Sequence, residues 1–157
     1  MADGESLPNV SAAGYFFGKK IQEELDVPVG IITTAVGGTR IEAWTPKEAY
    51  ENGRFPIFAD ILKENNGMIQ GVRPGDMYNR LVRPLIPYGI KGILWYQGEN
   101  NCAIDDRDYV RKFQLMTEHW RQDFGLPEVP FYYVLLASHI YSDRMHRNAK
   151  GPVTAEA

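Results

Sequence analysis

Two short polar segments of this sequence carry residue types suited to stabilising a negative charge. The first is Gln97-Gly98-Glu99-Asn100-Asn101, which directly follows an apolar run ending in Trp95-Tyr96. Packing does not explain five polar or small residues at such a point. The Gln97 amide can donate a hydrogen bond to a developing negative charge, and Glu99 can orient a neighbouring group or a sugar hydroxyl. The alternative is a solvated loop whose asparagines suit turn geometry.

The second segment is Gly37-Gly38-Thr39, which follows the β-branched run 31–36. A glycine pair after a strand allows a tight turn whose backbone N–H groups can face an anion or an oxyanion. A plain strand-to-loop turn would use the same residues. A phosphate-binding loop would require a following Lys-Ser or Lys-Thr, which the sequence lacks.

A third candidate is the pair Asp143 and His146, whose spacing lets one loop present a base and the carboxylate that orients it. A surface turn is the favoured interpretation, because Asp and His three residues apart arise often by chance. His119 is predicted to be structural, and the role of His139 stays open. The three histidines and Cys102 show no ligand spacing, so no metal site is predicted.

The hydrophobic periodicity predicts an α/β fold in which strands and helices alternate. Nearly all-apolar strands favour a parallel sheet covered on both faces. The predicted strands are residues 31–36, 89–96 and 131–137. The predicted helices are 12–25 (capped by Ser11, with Ala13, Phe17, Ile21 and Leu25 on one face), a short helix from Thr45-Pro46, 57–64, 77–86 (interrupted near Pro84) and 108–124.

Ligands of such sheets bind at the carboxyl ends of the strands. We therefore expect a site built from residues 37–44, 97–101 and 138–146.

The composition limits the classes of protein to which this chain can belong. The 157 residues are enough for one domain, and 44% apolar residues are enough for a core. With 17 basic and 20 acidic residues, the chain lacks the basic excess of a nucleic-acid binder. Its longest apolar runs, such as 131–137, are too short to cross a bilayer. The first residues lack the features of a signal peptide, and a single cysteine excludes an intramolecular disulfide.

Four stretches, in this order and spacing, resemble the sialate O-acetylesterase group of the SGNH hydrolases, which includes carbohydrate acetylesterases of plants and bacteria. Trp95-Tyr96-Gln97-Gly98-Glu99-Asn100-Asn101 is the most specific of them. The other three are residues 11–18, 36–44 and 77–92, and the similarity extends over about residues 10–137.

The resemblance implies a flavodoxin-like three-layer α/β/α fold and serine esterase chemistry that removes acetyl groups from sugars without a cofactor. Carried over by position, Gln97 and a backbone N–H of Gly37 or Gly38 would be oxyanion donors. Glu99, Asn101 and Arg40 would contact the acetylated carbohydrate. Such enzymes would be secreted or periplasmic.

The sequence departs from the family pattern at the nucleophile. The family's Gly-Gln-Ser-Asn-like block lies upstream of the helix at Ser11, and no such block occurs in this chain. Ser11 matches a serine read as a helix cap. Asp143 and His146 only faintly resemble the block that holds the family's base. We therefore expect residues 1–157 to be a single, partial SGNH domain that is inactive alone.

Two alternatives belong to other functional classes. One is a catalytically inactive glycan-binding or truncated domain. The other is a flavodoxin-like nucleotide binder, which would leave residues 97–101 without a purpose.

Overall fold

The computed structural model describes residues 11–137, and the chain divides between Val36 and Gly37 into two compact units. The described residues form six α-helices, one π-helical turn, one 3-10 turn and two β-strands. These are α1 (Ala12–Leu25), α2 (Ile41–Trp44), α3 (Lys47–Asn52), α4 (Ile57–Glu64), the π turn (Tyr78–Val82), the 3-10 turn (Arg83–Leu85), β1 (Ile93–Trp95), α5 (Glu99–Cys102), α6 (Tyr109–Asp123) and β2 (Phe131–Tyr133).

The first unit contains α1, whose bounds and cap confirm the prediction. The Ser11 hydroxyl accepts a hydrogen bond from the Gly14 backbone N–H at 3.3 Å. On the predicted apolar face, Ala13, Phe17 and Ile21 are half-buried and Leu25 is 64% exposed, whereas the two buried residues of α1 are Gly14 and Gly18. Both glycines lie against Ile31, which approaches so closely that a side chain at Gly18 would contact it.

The predicted strand 31–36 is wrong, since this segment has no regular secondary structure. A β-strand needs a hydrogen-bonded neighbour, and the sheet of the described residues contains only β1 and β2. The β-branched side chains of residues 31–36 are largely exposed, including Ile31 (44%) and Ile32 (55%). The β-branched residues of this run favour a strand, but they do not determine whether a second strand is available to pair with it.

The second unit contains a parallel pair of strands, which confirms the predicted mixed α/β character. β1 pairs with β2 in the register Ile93 to Phe131, Leu94 to Tyr132 and Trp95 to Tyr133. Both strands are shorter than predicted. Tyr132 and Tyr133 are 49% and 65% exposed, so β2 is not covered on both faces by the described residues. The complete three-layer arrangement stays a prediction.

The core of the second unit is built around three tryptophans. Trp44 of α2, Trp95 of β1 and Trp120 of α6 are each at most 8% exposed, and the Trp95 ring contacts both others edge to face. The Trp120 indole also donates to the Trp44 carbonyl at 3.0 Å. Met116 and Trp120 are buried on α6 as predicted. The core therefore fixes α2, β1 and α6 relative to one another.

Two other predictions need correction. Residues 77–86 are helical with a change near Pro84, as predicted, but Tyr78–Val82 form the π turn and Arg83–Leu85 the 3-10 turn in place of an α-helix. Thr45 does not cap α3, because its hydroxyl donates to the Ile41 carbonyl of α2. α4 has the predicted bounds. Across residues 11–137, no helix combines the length and hydropathy needed to cross a membrane.

Candidate active site

The structure brings together two of the segments predicted to form a site. The Gln97 side chain, after β1, donates through Nε2 to the Thr39 carbonyl at 3.1 Å. Thr39 also accepts at its hydroxyl from the Trp44 indole at 2.9 Å, so the turn is held at two points. Gly38 has a φ of +78°, which glycine adopts without strain.

The nitrogen and the oxygen of the Gln97 side-chain amide both form hydrogen bonds within the protein. Its second Nε2 hydrogen bond goes to Asn101 Oδ1 at 2.9 Å, and its Oε1 accepts from the Tyr109 hydroxyl at 3.0 Å. An amide nitrogen has two hydrogens, and both have acceptors. In this arrangement Gln97 fixes the glycine turn against the start of α5.

Tyr109 of α6 connects this amide to the tryptophan core. Its hydroxyl also accepts from the Trp95 indole at 3.0 Å. Burial raises the pKa of Tyr109 to about 12, with smaller contributions from nearby groups including Glu99 and Asp106. The hydroxyl therefore stays neutral at physiological pH and remains a hydrogen-bond donor to Gln97.

Asn101 is the junction beneath the site and is 1% exposed. Its Oδ1 accepts from the Ile41 backbone N–H at 3.1 Å as well as from Gln97. Its Nδ2 donates to Asp106 Oδ2 at 2.8 Å and to Glu42 Oε2 at 3.2 Å. The predicted contact of Asn101 with substrate stays a prediction, and its observed contacts hold α2 and α5 together.

A buried ionic cluster lies below Asn101. The Lys112 ammonium contacts Glu42 Oε1 at 2.6 Å, Asp106 Oδ2 at 2.8 Å and Gln70 Oε1 at 2.8 Å. The side chains of Lys112, Glu42 and Asp106 are each 0 or 1% exposed. Three acceptors match the three ammonium hydrogens, as burial of a charge demands. The amide of Asn101 supplies further donors to the two carboxylates.

Glu99 and Arg40 lie closer to solvent. Glu99 is exposed at the start of α5, and its carboxylate forms no hydrogen bond or ion pair with residues 11–137. Arg40 is half-buried and donates through Nη2 to the Gln70 carbonyl at 2.6 Å. No carboxylate of the described residues is within ion-pair distance of Arg40.

The remaining sequence-predicted residues are those at positions 119, 139, 143 and 146. Asp143, His146 and His139 lie outside the described residues. His119 is on α6, half-buried, with its Nε2 3.8 Å from Asp123. No group of three possible metal ligands occurs in the described part of the chain.

Sequence reasoning missed Glu42, Asp106, Lys112 and Tyr109 as parts of the site. One signal was present, because Lys112 lies three residues after Tyr109 and four before Met116, on the stripe that α6 buries. A lysine on a buried stripe requires buried carboxylates. Nothing in the pattern identified Glu42 and Asp106 as those partners.

Comparisons with known proteins identify the family to which the chain belongs. The family model described as a carbohydrate esterase, sialic acid-specific acetylesterase, matches residues 3–155. The sialate O-acetylesterases of Pongo abelii and Homo sapiens are each 30% identical over 119 residues, covering 73% of this chain and 22% of the relative. That of Rattus norvegicus is 28% identical over 163 residues, covering 83% of this chain and 30% of the relative. No solved structure gives a significant match.

The chain thus spans between 22% and 30% of the length of these curated relatives. Its match to the family model nevertheless includes the glycine turn, the Gln97 segment and the helices that hold them. The chain belongs to the carbohydrate esterase family of sialic acid-specific acetylesterases.

Proposed function

We propose that this chain supplies the oxyanion-binding side of a carbohydrate O-acetylesterase. The observation that supports this most is the hydrogen bond from Gln97 to the Thr39 carbonyl, which joins the two segments that the sequence marks as charge-stabilising. Residues 1–157 are then part of one SGNH-type domain with a three-layer α/β/α sheet.

The proposed reaction is acyl transfer through a serine. The serine oxygen bonds to the acetyl carbon as a histidine takes its proton, and the carbonyl electron pair moves onto the carbonyl oxygen. That pair returns as the bond to the sugar oxygen breaks, and the sugar oxygen takes the proton. Water then releases acetate by the same two steps, so no cofactor or metal is required.

The oxyanion donors in this proposal include the backbone N–H groups of Gly37 and Gly38. Neither has an acceptor among residues 11–137, and both glycines are exposed. Gln97 holds them in place through Thr39, and direct donation by Gln97 would require it to release Thr39 or Asn101. Preorganised donors of this kind stabilise the transition state without reorganising.

The proposed substrate is an acetylated sugar, with sialic acid as the first candidate. The curated relatives are named sialate O-acetylesterases. Glu99 is exposed and can accept from a sugar hydroxyl, while Arg40 lacks a carboxylate partner in the described residues and can meet an anionic sugar. Asp143 and His146 remain candidates for the carboxylate and base.

We propose that none of the four serines of this chain is the nucleophile. Ser11 is the one serine of residues 11–137, and its hydroxyl accepts from Gly14 as a cap. We expect the chain alone to leave p-nitrophenyl acetate unhydrolysed and to resist a fluorophosphonate probe. Labelling of Ser6, Ser11, Ser138 or Ser142 would contradict this point. A glycan-binding module without activity is the second candidate, and the capping role of Ser11 agrees with inactivity of the isolated chain.

The decisive experiment is the Gln97→Ala variant of an active protein that contains this chain. For hydrolysis of an O-acetylated sialic acid, kcat should fall about 10²–10³-fold while KM stays nearly unchanged. The reason is that the glycine turn proposed to bind the oxyanion is no longer held in place. Gln122→Ala is the matched control, since Gln122 is exposed on α6. An unchanged kcat in Gln97→Ala would refute the proposal.

A further inference from the structure

Arg40 carries a guanidinium that the protein uses only in part. Its Nη2 donates to the Gln70 backbone carbonyl at 2.6 Å, and no other hydrogen bond or ion pair connects this side chain to residues 11–137. A guanidinium has five N–H donors in one plane, so four of them remain. Two adjacent donors of this kind match the two oxygens of a carboxylate.

The charge of Arg40 is not neutralised by Glu42, the carboxylate closest to it in sequence. Glu42 is 0% exposed, and its Oε1 lies 2.6 Å from the Lys112 ammonium. Among residues 11–137 the partner of the guanidinium is the Gln70 carbonyl, which orients the group but carries no negative charge. Arg40 is only half-buried, so an anion from solvent can reach it.

Gln70 occupies an unusual backbone position. Gln70 and Gly71 form a two-residue loop between Ile69 and Val72, whose N–H groups each donate to the other's carbonyl at 2.9 Å. The φ values in the loop are +48° at Gln70 and +78° at Gly71, as a type I′ turn requires. Glycine, asparagine and aspartate are the usual residues of such loops, and a glutamine at positive φ is strained. Strain of this kind persists where the surrounding contacts hold the residue in place.

The contacts of Gln70 hold it on two sides. Its side-chain Oε1 accepts from the Lys112 ammonium at 2.8 Å, and Lys112 is 1% exposed. The preceding residue, Ile69, is 1% exposed and packs in a hydrophobic cluster that includes Tyr50. The carbonyl that accepts from Arg40 is therefore fixed between a buried cation and a buried apolar side chain.

The backbone of Arg40 is fixed as well. The next residue, Ile41, is 0% exposed, and its N–H donates to Asn101 Oδ1 at 3.1 Å. The preceding residue, Thr39, accepts at its carbonyl from Gln97. Arg40 is therefore held at its backbone and at its guanidinium, one residue beyond the glycine turn.

We infer that Arg40 binds the carboxylate of an acidic acetylated sugar, and that Gln70 is the positioning residue that orients its guanidinium. This inference rests on the proposed function, and it adds the contact that distinguishes acidic from neutral acetylated sugars. The contact is an ion pair and involves no covalent step. A lysine at position 40 would supply the charge but not the planar pair of donors, so Arg40 determines specificity by its shape as well as its charge.

The first test uses the chain itself and needs no turnover. The α-methyl glycoside of N-acetylneuraminic acid is titrated into ¹⁵N-labelled chain and compared with its methyl ester, which has the same sugar but no negative charge. We expect the acid to shift the Arg40 Nε–H and the Gln70 backbone N–H in the ¹H–¹⁵N spectrum. The acid should bind at least about tenfold more tightly than the ester, because a hydrogen-bonded ion pair is lost in the ester. Equal affinities, or acid-specific shifts that leave Arg40 unchanged, would overturn the inference.

The ratio of acid affinity to ester affinity also separates charge from geometry. Arg40→Met should bring this ratio close to one, whereas Arg40→Lys should restore part of it. Arg107→Met is the matched control, because it removes the same charge from a side chain that is 86% exposed. An unchanged ratio in Arg40→Met, or an equal fall in Arg107→Met, would contradict a specific contact with the carboxylate.

Gln70→Gly tests the positioning role. Glycine keeps the backbone carbonyl and adopts the positive φ without strain, but it loses the hydrogen bond to Lys112. The affinity ratio should fall about threefold or more while the affinity for the ester stays the same, because the carbonyl is held less firmly. A purely structural role would change the free energy of unfolding and leave the ratio unchanged, and that result would overturn the assignment of Gln70.

Failure of the proposed function would give a different result. If a longer active protein hydrolyses O-acetylated sialic acid and acetylated xylose with equal losses of kcat/KM in Arg40→Met, the carboxylate contact is wrong and the esterase stands. If the chain prefers the acid to its methyl ester through Arg40 but no protein containing the chain hydrolyses an acetylated sugar, the esterase proposal is wrong and the carboxylate site stands.

Discussion

Gln97 Nε2 and Asn101 Oδ1 are 2.9 Å apart, one helical turn along the chain, and this bond joins the glycine turn to the buried ions. Gln97 is half-buried and holds Thr39, while Asn101 is 1% exposed and contacts Glu42 and Asp106. A change among the buried charges can therefore reach the turn through the side chains of Asn101 and Gln97. Connected polar networks of this kind are rigid when every member is satisfied.

Replacement of Asn101 should lower the free energy of unfolding. Asn101→Ala removes the donor from two buried carboxylates and the acceptor from Gln97, so a loss of about 2–3 kcal/mol is expected. Asn101→Asp should cost more, because it places a third carboxylate beside two others. Urea denaturation measures both values, with exposed Asn52→Ala as the control. A loss below about 0.5 kcal/mol in Asn101→Ala would contradict the network.

Lys112→Met should be strongly destabilising. It leaves Glu42 and Asp106 buried without their cation, which costs about 3–5 kcal/mol in comparable cases. Arg107→Met is the matched control, because its ion pair with Asp105 is 86% and 76% exposed. Exposed pairs contribute about 0–1 kcal/mol. Equal effects of the two substitutions in chemical denaturation would show that the cluster is hydrated.

A double-mutant cycle of Lys112→Met and Glu42→Gln tests the same cluster more directly. Glu42 Oε1 lies 2.6 Å from the Lys112 ammonium, so the two single losses should not add. The double variant should be more stable than additivity predicts by about 0.5–3 kcal/mol. Additive losses would mean that the two charges are independent.

Tyr109→Phe should change the alkaline stability of the protein. The pKa of Tyr109 is raised by burial to about 12, above its ordinary value, so the fold favours the neutral phenol. That stabilisation is complete below about pH 10 and is lost as pH rises from about 10 to 12. Tyr109→Phe should therefore show a smaller fall in urea midpoint over this range, with part of the fall remaining because Tyr50 and Tyr78 also have raised pKa values.

The matching spectroscopic measurement is tyrosinate absorbance at alkaline pH. The chain has nine tyrosines, and Tyr109→Phe should remove one that ionises late. Tyr88→Phe is the control, since Tyr88 is 62% exposed. If the two variants lose the same early-ionising absorbance, Tyr109 is not buried as described.

Local rules predicted much of this fold. The spacing of apolar residues gave the bounds of α4 closely and those of α6 within a residue, and a capping serine located the start of α1. Residues 37–44 and 97–101 were expected to meet because each was placed after a parallel strand, although of the two only residues 97–101 follow one, β1. The contact between Gln97 and Thr39 confirms that these two segments meet.

Long-range pairing was the part that the sequence did not reveal. Residues 31–36 have high strand propensity, but a strand exists only with a hydrogen-bonded neighbour. Glu42 is separated from Lys112 by 70 positions, and no local pattern links two such charges. Likewise, the polar residues at 97–101 were expected to face a ligand, although Asn101 points into buried charge.

The last prediction concerns two glycines on one face of α1. Alanine is a better helix former than glycine by about 0.5–1 kcal/mol, so Gly14→Ala should stabilise α1, since its new methyl would meet Ile31 at 3.4 Å, an ordinary contact. Gly18→Ala should destabilise α1 instead, because its methyl would lie 2.9 Å and 3.1 Å from two Ile31 carbons. Overpacking of this kind costs about 1–3 kcal/mol, which outweighs the gain in propensity.

Hydrogen exchange of the α1 backbone amides measures this local stability directly. Protection should rank Gly14→Ala above the unmodified chain and Gly18→Ala below it. The double variant Gly18→Ala with Ile31→Val should recover part of the loss, because valine lacks the δ1 carbon that makes the closest contact. If Gly18→Ala is as protected as Gly14→Ala, Ile31 yields easily, and the close approach of the helix does not depend on glycine at position 18.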